Sequence, residues 1–294
     1  MAHKTGPTVQ RRDVLRRAWY NFSRNRLSVV GLVIVLLVVL LAVIGPYIAP
    51  YPGHAKAFVD FRNSNQRPSV RHWFGTDYIG RDILSRILFA LRSALLMGVL
   101  VLAIAVPVGV VSGVVAGYLR GSLAEMVIMR VTDIFLAIPA MVLALAIASV
   151  LAPNLRNAML AVTVMWWPWY TRLVYGLASS LRNEYFVRAA ELTGASAGHI
   201  MFREILPNCL APIMTKITLD MAWVIMIGAS LSFVGLGEQP PIPSLGNMVS
   251  DGAKYMPDQW WMTVFPAIAI MLIVLPFNLL GDGIRDLFAM GEER

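Results

Sequence analysis

The sequence predicts an all-α integral membrane protein of about six transmembrane helices. Three observations predict it. The chain is 57% hydrophobic and only 14% charged, where soluble domains run near half apolar with about a quarter charged. Its mean hydropathy is +0.65. Several uncharged runs reach the ~20 residues that an α-helix needs to cross a hydrocarbon core. A net charge of +8 suits a membrane with anionic lipid on one face. The basic residues do not gather on a soluble domain, which argues against nucleic acid as a partner. The single Cys209 excludes an intrachain disulfide and a cysteine metal cluster. Its default role is that of a small buried apolar residue.

The elements follow in order. A basic segment, 1–26, precedes the first span, Leu27–Ala49. Ala55-Lys56-Ala57 resembles a cleavage site, but the apolar run exceeds the roughly 7–15 residues of a signal-peptide core, so a retained helix is expected. Residues 50–93 form the largest outer segment. In it Ile83, Leu84, Ile87, Leu88 and Leu91 share one helical face, which predicts an amphipathic helix lying on the membrane surface. Thr76-Asp77 and Gly80-Arg81-Asp82 precede it as turn and cap. A membrane core, 94–283, then carries spans near Ala94–Tyr118, Met126–Leu151, Ala158–Ala178, Ile213–Leu236 and Trp261–Gly281. Glycine at the end of the last is a normal helix terminator, leaving 284–294 as a tail. With both termini in the cytoplasm, 9 of the 25 Lys and Arg fall outside. Lysine and arginine crowd immediately before the first helix, which favours that orientation.

Within the spans, Gly109, Gly113 and Gly117 make a smooth stripe for close helix approach, either inside the chain or toward another subunit. Arg130 and Asp133 are three apart and Lys216 and Asp220 four apart, so each pair shares a helical face and reads as a structural intramembrane ion pair. Asp133 and Asp220 fall near the predicted helix ends. Trp166, Trp167, Trp169 and Tyr170 around Pro168 fit either a pathway lining or helix packing. The Gly235–Pro243 stretch, rich in proline, reads as a stiff outer loop.

The most polar long segment of the second half is the loop 180–210. A short helix over Tyr185–Leu192 is expected, with Glu184 and Arg188 paired on a wet face. Ala189 and Ala190 give a flat surface, Gly194 a turn, and Pro207 a stop to the helix that follows. Physics alone leaves a structural loop and a docking element equally open.

Ala189-Ala190, Gly194 and Leu206-Pro207 together resemble the docking-loop motif of ATP-binding-cassette importer permeases, in which alanines, glycine and Leu-Pro stand at these spacings. Arg188 replaces the motif's glutamate and Glu204 its isoleucine. His72-Trp73-Phe74-Gly75-Thr76-Asp77, Gly80-Arg81-Asp82-Ile83-Leu84-Ser85-Arg86, Met129-Arg130-Val131-Thr132-Asp133, Leu231-Ser232-Phe233-Val234-Gly235 and Gly281-Asp282-Gly283-Ile284-Arg285-Asp286 are similar to segments of the dipeptide, oligopeptide and nickel permeases, most of all their C-type subunit.

That resemblance implies a type I importer permease fold in a bacterial inner membrane. It implies a second homologous permease, two cytoplasmic ATPases and an extracytoplasmic substrate-binding protein as partners. ATP and Mg²⁺ would belong to the ATPases, and no cofactor to this chain, which carries no phosphate-binding Gly-x-x-x-x-Gly-Lys-Ser/Thr loop. Arg188, Ala189, Ala190, Glu191, Gly194, Leu206 and Pro207 would form the ATPase-docking surface, and no residue would be catalytic. Alternating access would import peptides, with nickel, haem or glutathione as alternative cargo. The rivals of other classes are a stand-alone ion-gradient transporter, which would want midplane carboxylates, and a membrane scaffold.

Overall fold

The computed structural model describes Tyr20, Phe22, Ser23 and residues 25–289, with side chains as far as Arg285. Most of the basic N-terminal segment and residues 290–294 of the tail lie outside the described residues. Long helices dominate. Among the described residues there is no strand, only an isolated bridge between Thr76 and Asp82.

Helix α1 (Arg26–Ile48) begins at Asn25, whose side chain accepts the N–H groups of Leu27 and Ser28. Helix α2 (Ile83–Tyr118) organises the molecule. Its 36 residues make a rod about 54 Å long at 1.5 Å per residue. The expected surface helix is therefore not a separate element. Ile83, Ile87, Leu88 and Leu91 are the buried first turns of this long helix. An apolar stripe can be covered by protein as well as by lipid, so its period does not reveal which.

Helices α3 (Leu123–Ala137) and α4 (Ala140–Val150) replace the single predicted third span, bent by 90° at the break. Pro139 has no N–H to donate and forces Ile138 into an extended conformation, φ −91° and ψ 130°. Helix α5 (Leu155–Leu181) then runs along α2. A Cβ on Gly113 would lie 2.7 Å from the Thr171 carbonyl oxygen and 2.8 Å from Val174 Cβ. One on Gly117 would lie 2.6 Å from Ala178 Cβ. The glycine stripe thus serves packing inside the chain.

Helix α6 (Tyr185–Leu192) is followed by a helical run, Ala197–Ile205, that passes straight into α7 (Leu206–Phe233). Pro207 does not stop a helix. It sits in the first turn of α7, and the preceding Ile200–Ile205 is wound as a π-helix. There the Leu206 N–H reaches the Met201 carbonyl, and the Asn208 side chain donates to the Glu204 carbonyl at 2.7 Å. Wider winding accommodates a residue with no N–H of its own. Helix α8 (Leu245–Ala253), just beyond the stiff outer loop, was not foreseen. Ser244 caps it by accepting the Asn247 N–H.

Helix α9 (Trp261–Ala289) continues through Gly281 and Gly283, where an end was expected. These glycines admit neighbours instead: a Cβ on Gly281 would meet Leu219, and one on Gly283 would meet Ser28 and Phe22. Among the described residues, four helices are long and apolar enough to cross a membrane, or five with the bent pair as one span. Helix α5, long enough at 27 residues but less apolar, accounts for the difference from the expected six.

Two cores result, both built on α2. One packs Val101, Val114, Val162, Tyr170, Val174 and Val224 between α2, α5 and α7. The other packs Val38, Ile83, Ile87, Met248, Trp261 and Ile273 between α1, α2, α8 and α9. The stretch before α2 is pinned by a polar network. Asp82 caps the helix through the Ser85 N–H and hydroxyl and receives a hydrogen bond from His72 Nδ1 or shares its proton, at 2.9 Å. The Asp82 N–H in turn donates to His54 Nδ1 at 2.8 Å. Asp77 holds the Arg81 guanidinium at 2.6 Å.

Candidate functional site

The loop between α5 and α7 is built on a glycine lock. Gly194 has φ +80°, the left-handed region that L side chains resist. Its N–H donates to the Glu191 carbonyl at 2.9 Å, and the Ala195 N–H donates to the Ala190 carbonyl at 3.0 Å. This pair of bonds is the Schellman closure of a helix C-terminus. Ser196 then starts the next helical run by accepting the His199 N–H.

The loop faces two ways. Val187, Ile200 and Ile205 are fully buried and join the core beneath, with Ala190 and Leu206 packed partly against it. Tyr185, Arg188, Ala189 and Leu192 fall at helical spacing i, i+3, i+4, i+7 and are exposed. Tyr185 is 86% and Leu192 90% accessible, high values for large apolar side chains. Of the expected docking residues, Arg188, Ala189, Gly194 and Pro207 are exposed, whereas Ala190, Glu191 and Leu206 are half-buried. Tyr185 and Leu192, exposed on the same stripe, were not among the expected docking residues, although the i, i+3, i+4, i+7 pattern was readable.

The ion pairing differs from expectation. Glu191 pairs with Arg182 at 2.7 Å, and no Glu184–Arg188 pair forms. The Arg182 guanidinium also lies 4.7 Å from the Tyr118 ring centroid. One arginine therefore ties α6 to the ends of both α5 and α2. A side chain in α5's closing turn reaches a neighbour that sequence spacing cannot reveal.

The intramembrane charges also rearrange. Asp133 bonds Arg172 of α5, leaving Arg130 exposed. Lys216 and Asp220 do pair, at 3.1 Å. Asp220 is buried and also accepts the Trp166 indole N–H at 2.8 Å. The pair does not lie near a helix end: Asp220 stands 14 residues into α7, about 21 Å along it. The earlier start of α7 is the reason. The tryptophan cluster divides in two. Trp166 and Tyr170 are buried packing residues, whereas Trp169 is 46% exposed. Among the described residues no group of three or more His, Cys, Asp or Glu side chains could hold a metal ion.

Comparison with known proteins bears on this loop-and-bundle arrangement. Residues 105–291 match the family of binding-protein-dependent transport system inner membrane components. Residues 14–68 match the N-terminal transmembrane domain of oligopeptide transport permease C. The chain is 42% identical to the dipeptide transport system permease protein DppC of Escherichia coli, over 92% of this chain and 91% of that one. It is 40% identical to the DppC of Alkalihalophilus pseudofirmus, over 92% and 88%. Among solved structures, the MetNI methionine ABC transporter in inward-facing conformations matches with a TM-score of 0.53 at 19% identity, over 70% of this chain and 95% of that one. That likeness carries the fold alone. The helical bundle is a type I importer permease, and the chain belongs to the family of binding-protein-dependent transport system inner membrane components, transport subunits rather than enzymes.

Proposed function

We propose that the chain is one permease of an ATP-driven importer that carries di- or oligopeptides across a bacterial inner membrane, with both termini cytoplasmic. It pairs with a second, homologous permease. Two cytoplasmic ATPases bind ATP and Mg²⁺ and dock on the loop 180–210, and an extracytoplasmic binding protein delivers the cargo. Closure of the ATPases moves α6 and, through Arg182, the ends of α5 and α2 with it. The helices then open outward to accept substrate, and hydrolysis resets them.

The observation that carries this reading is α6 itself. An apolar and basic stripe of Tyr185, Arg188, Ala189 and Leu192 faces outward while Val187 anchors the helix below. A stripe so exposed marks a surface for a protein partner. Peptide as cargo is supported by the names of the relatives, which are 40–42% identical over 92% of the chain.

The test is reconstitution of the chain with its permease, ATPase and binding-protein partners in proteoliposomes, followed by uptake of labelled alanyl-alanine. ATP-dependent uptake is expected. Uptake of nickel, haem or glutathione in place of the dipeptide would change the cargo. Proton- or sodium-driven uptake by the chain alone would overturn the importer reading.

A further inference from the structure

The outward stripe of α5 changes character along its length. It reads Arg156, Leu160, Val164, Trp169, Arg172, Gly176 and Ser180: after the arginine at its start it is aliphatic at Leu160 and Val164, and from Trp169 onward aromatic, charged or small. Arg172 lies nine residues before the end of α5, and Asp133 ten after the start of α3. Both positions are about 14–15 Å from those helix ends, close to half of a hydrocarbon core of roughly 30 Å. Yet the Arg172 and Asp133 side chains remain 49% and 43% exposed. An ion pair in contact with lipid at that depth is costly, so such residues face a water-filled cavity or protein. By contrast, α1 presents Leu36, Leu37, Leu40 and Val43, a surface suited to lipid.

The site has a built floor. Lys216 Nζ lies 5.9 Å from the Trp169 ring centroid and 5.3 Å from that of Tyr170. Buried Asp220 holds the lysine, and Trp166 holds Asp220. Trp169 is thereby set beside the Arg172–Asp133 pair on the exposed stripe.

We propose that this pair, with Trp169, is a substrate-contact site in the translocation path that takes the two charged termini of a free peptide. The proposal rests on the peptide-import reading. Opening of the pair gives the peptide carboxylate the planar fork of Arg172, which matches a carboxylate bidentately. It gives the peptide ammonium the Asp133 carboxylate. Trp169 supplies an aromatic face that tolerates varied side chains. The site therefore recognises what all short peptides share, not their sequence.

The experiment places a cysteine at the site. In the nucleotide-free complex with its partner permease and ATPases, in nanodiscs, Gly176→Cys, one turn from Arg172 on the exposed stripe with open space for the side chain, on a Cys209→Ser background is reacted with a water-soluble methanethiosulfonate. The thiol is expected to react, and saturating alanyl-alanine to slow it, while alanyl-alanine amide slows it far less. Adding Arg172→Gln is expected to raise the half-protecting dipeptide concentration at least about tenfold, the weight of one charge-assisted hydrogen bond. Co-purification of the partners shows that each variant is folded. An unreactive thiol, equal protection by dipeptide and amide, or full protection in the Arg172→Gln variant would overturn the assignment. Alanyl-alanine uptake by the unmodified proteoliposomes separates the two failures. Uptake without protection removes this site alone, and absence of uptake removes the import reading with it.

Discussion

Gly194 offers the sharpest test of the proposed coupling loop, because packing plays no part in its cost. Nothing lies within 4 Å of the Cβ that a larger residue would add there. The whole penalty is backbone: holding an L residue at φ +80° costs about 1–2 kcal/mol. A β-branched side chain costs more and asparagine less. To relieve the strain, the loop must give up the bonds from Gly194 to Glu191 and from Ala195 to Ala190, and with them the angle between α6 and the following helix. Gly198, four residues on, is the control. It too has open space but lies in a helical turn without positive φ, so alanine there is neutral or mildly stabilising. The assay is retention of the ATPases on the tagged permease in gentle detergent, beside ATP-driven uptake. A loss of 1–2 kcal/mol corresponds to about 5–30-fold weaker retention. The expected order is Gly194, then Asn, Ala and Val, with Gly198→Ala unchanged. Equal retention by Gly194→Val and Gly198→Ala would refute the argument.

Three further outcomes follow from the structure. Gly113→Leu drives a side chain into Thr171 and Val174, an overpacking cost of about 1–3 kcal/mol or more, so the purified chain should melt earlier in detergent. Asp220→Leu leaves Lys216 and the Trp166 indole N–H without their acceptor and should cost about 1–3 kcal/mol; adding Lys216→Met should recover part of the loss in the same thermal assay. Burial holds His54 below its ordinary pKa of 6.5, outweighing the opposing pull of Asp82, Asp77 and Asp60, while His72 adds to the depression. The folded state then favours neutral His54, so stability is full above pH 6.5 and falls as pH drops from there through the depressed value. The hydrogen-exchange protection factors of residues 51–85 should fall over that range, and His54→Gln should flatten the response.

The membrane class, the existence of the long apolar helices and the turn at Gly194 were legible because each depends on local chemistry. Long uncharged runs need a hydrocarbon-like surround wherever they sit. Gly194 was readable as a turn because only glycine adopts such a φ cheaply. The anchor of the loop was not: Arg182 meets Glu191 and the Tyr118 ring only once α2, α5 and α6 are packed together. Asp133 was given the wrong partner for the same reason, since Arg172 lies 39 residues away in sequence.

Composition and spacing alone decide that these helices form and that an amphipathic turn breaks the second half of the chain. They do not decide what covers an apolar stripe, so Ile83–Leu91 read as a surface helix and is the buried start of α2. They do not decide whether a glycine ends a helix or admits a neighbour, so Gly281 and Gly283 read as a terminus and instead are contacts with Leu219, Ser28 and Phe22. Local propensity is a property of a residue and its near neighbours. The partner of a face is a property of the packed bundle, because side chains far apart in sequence supply it.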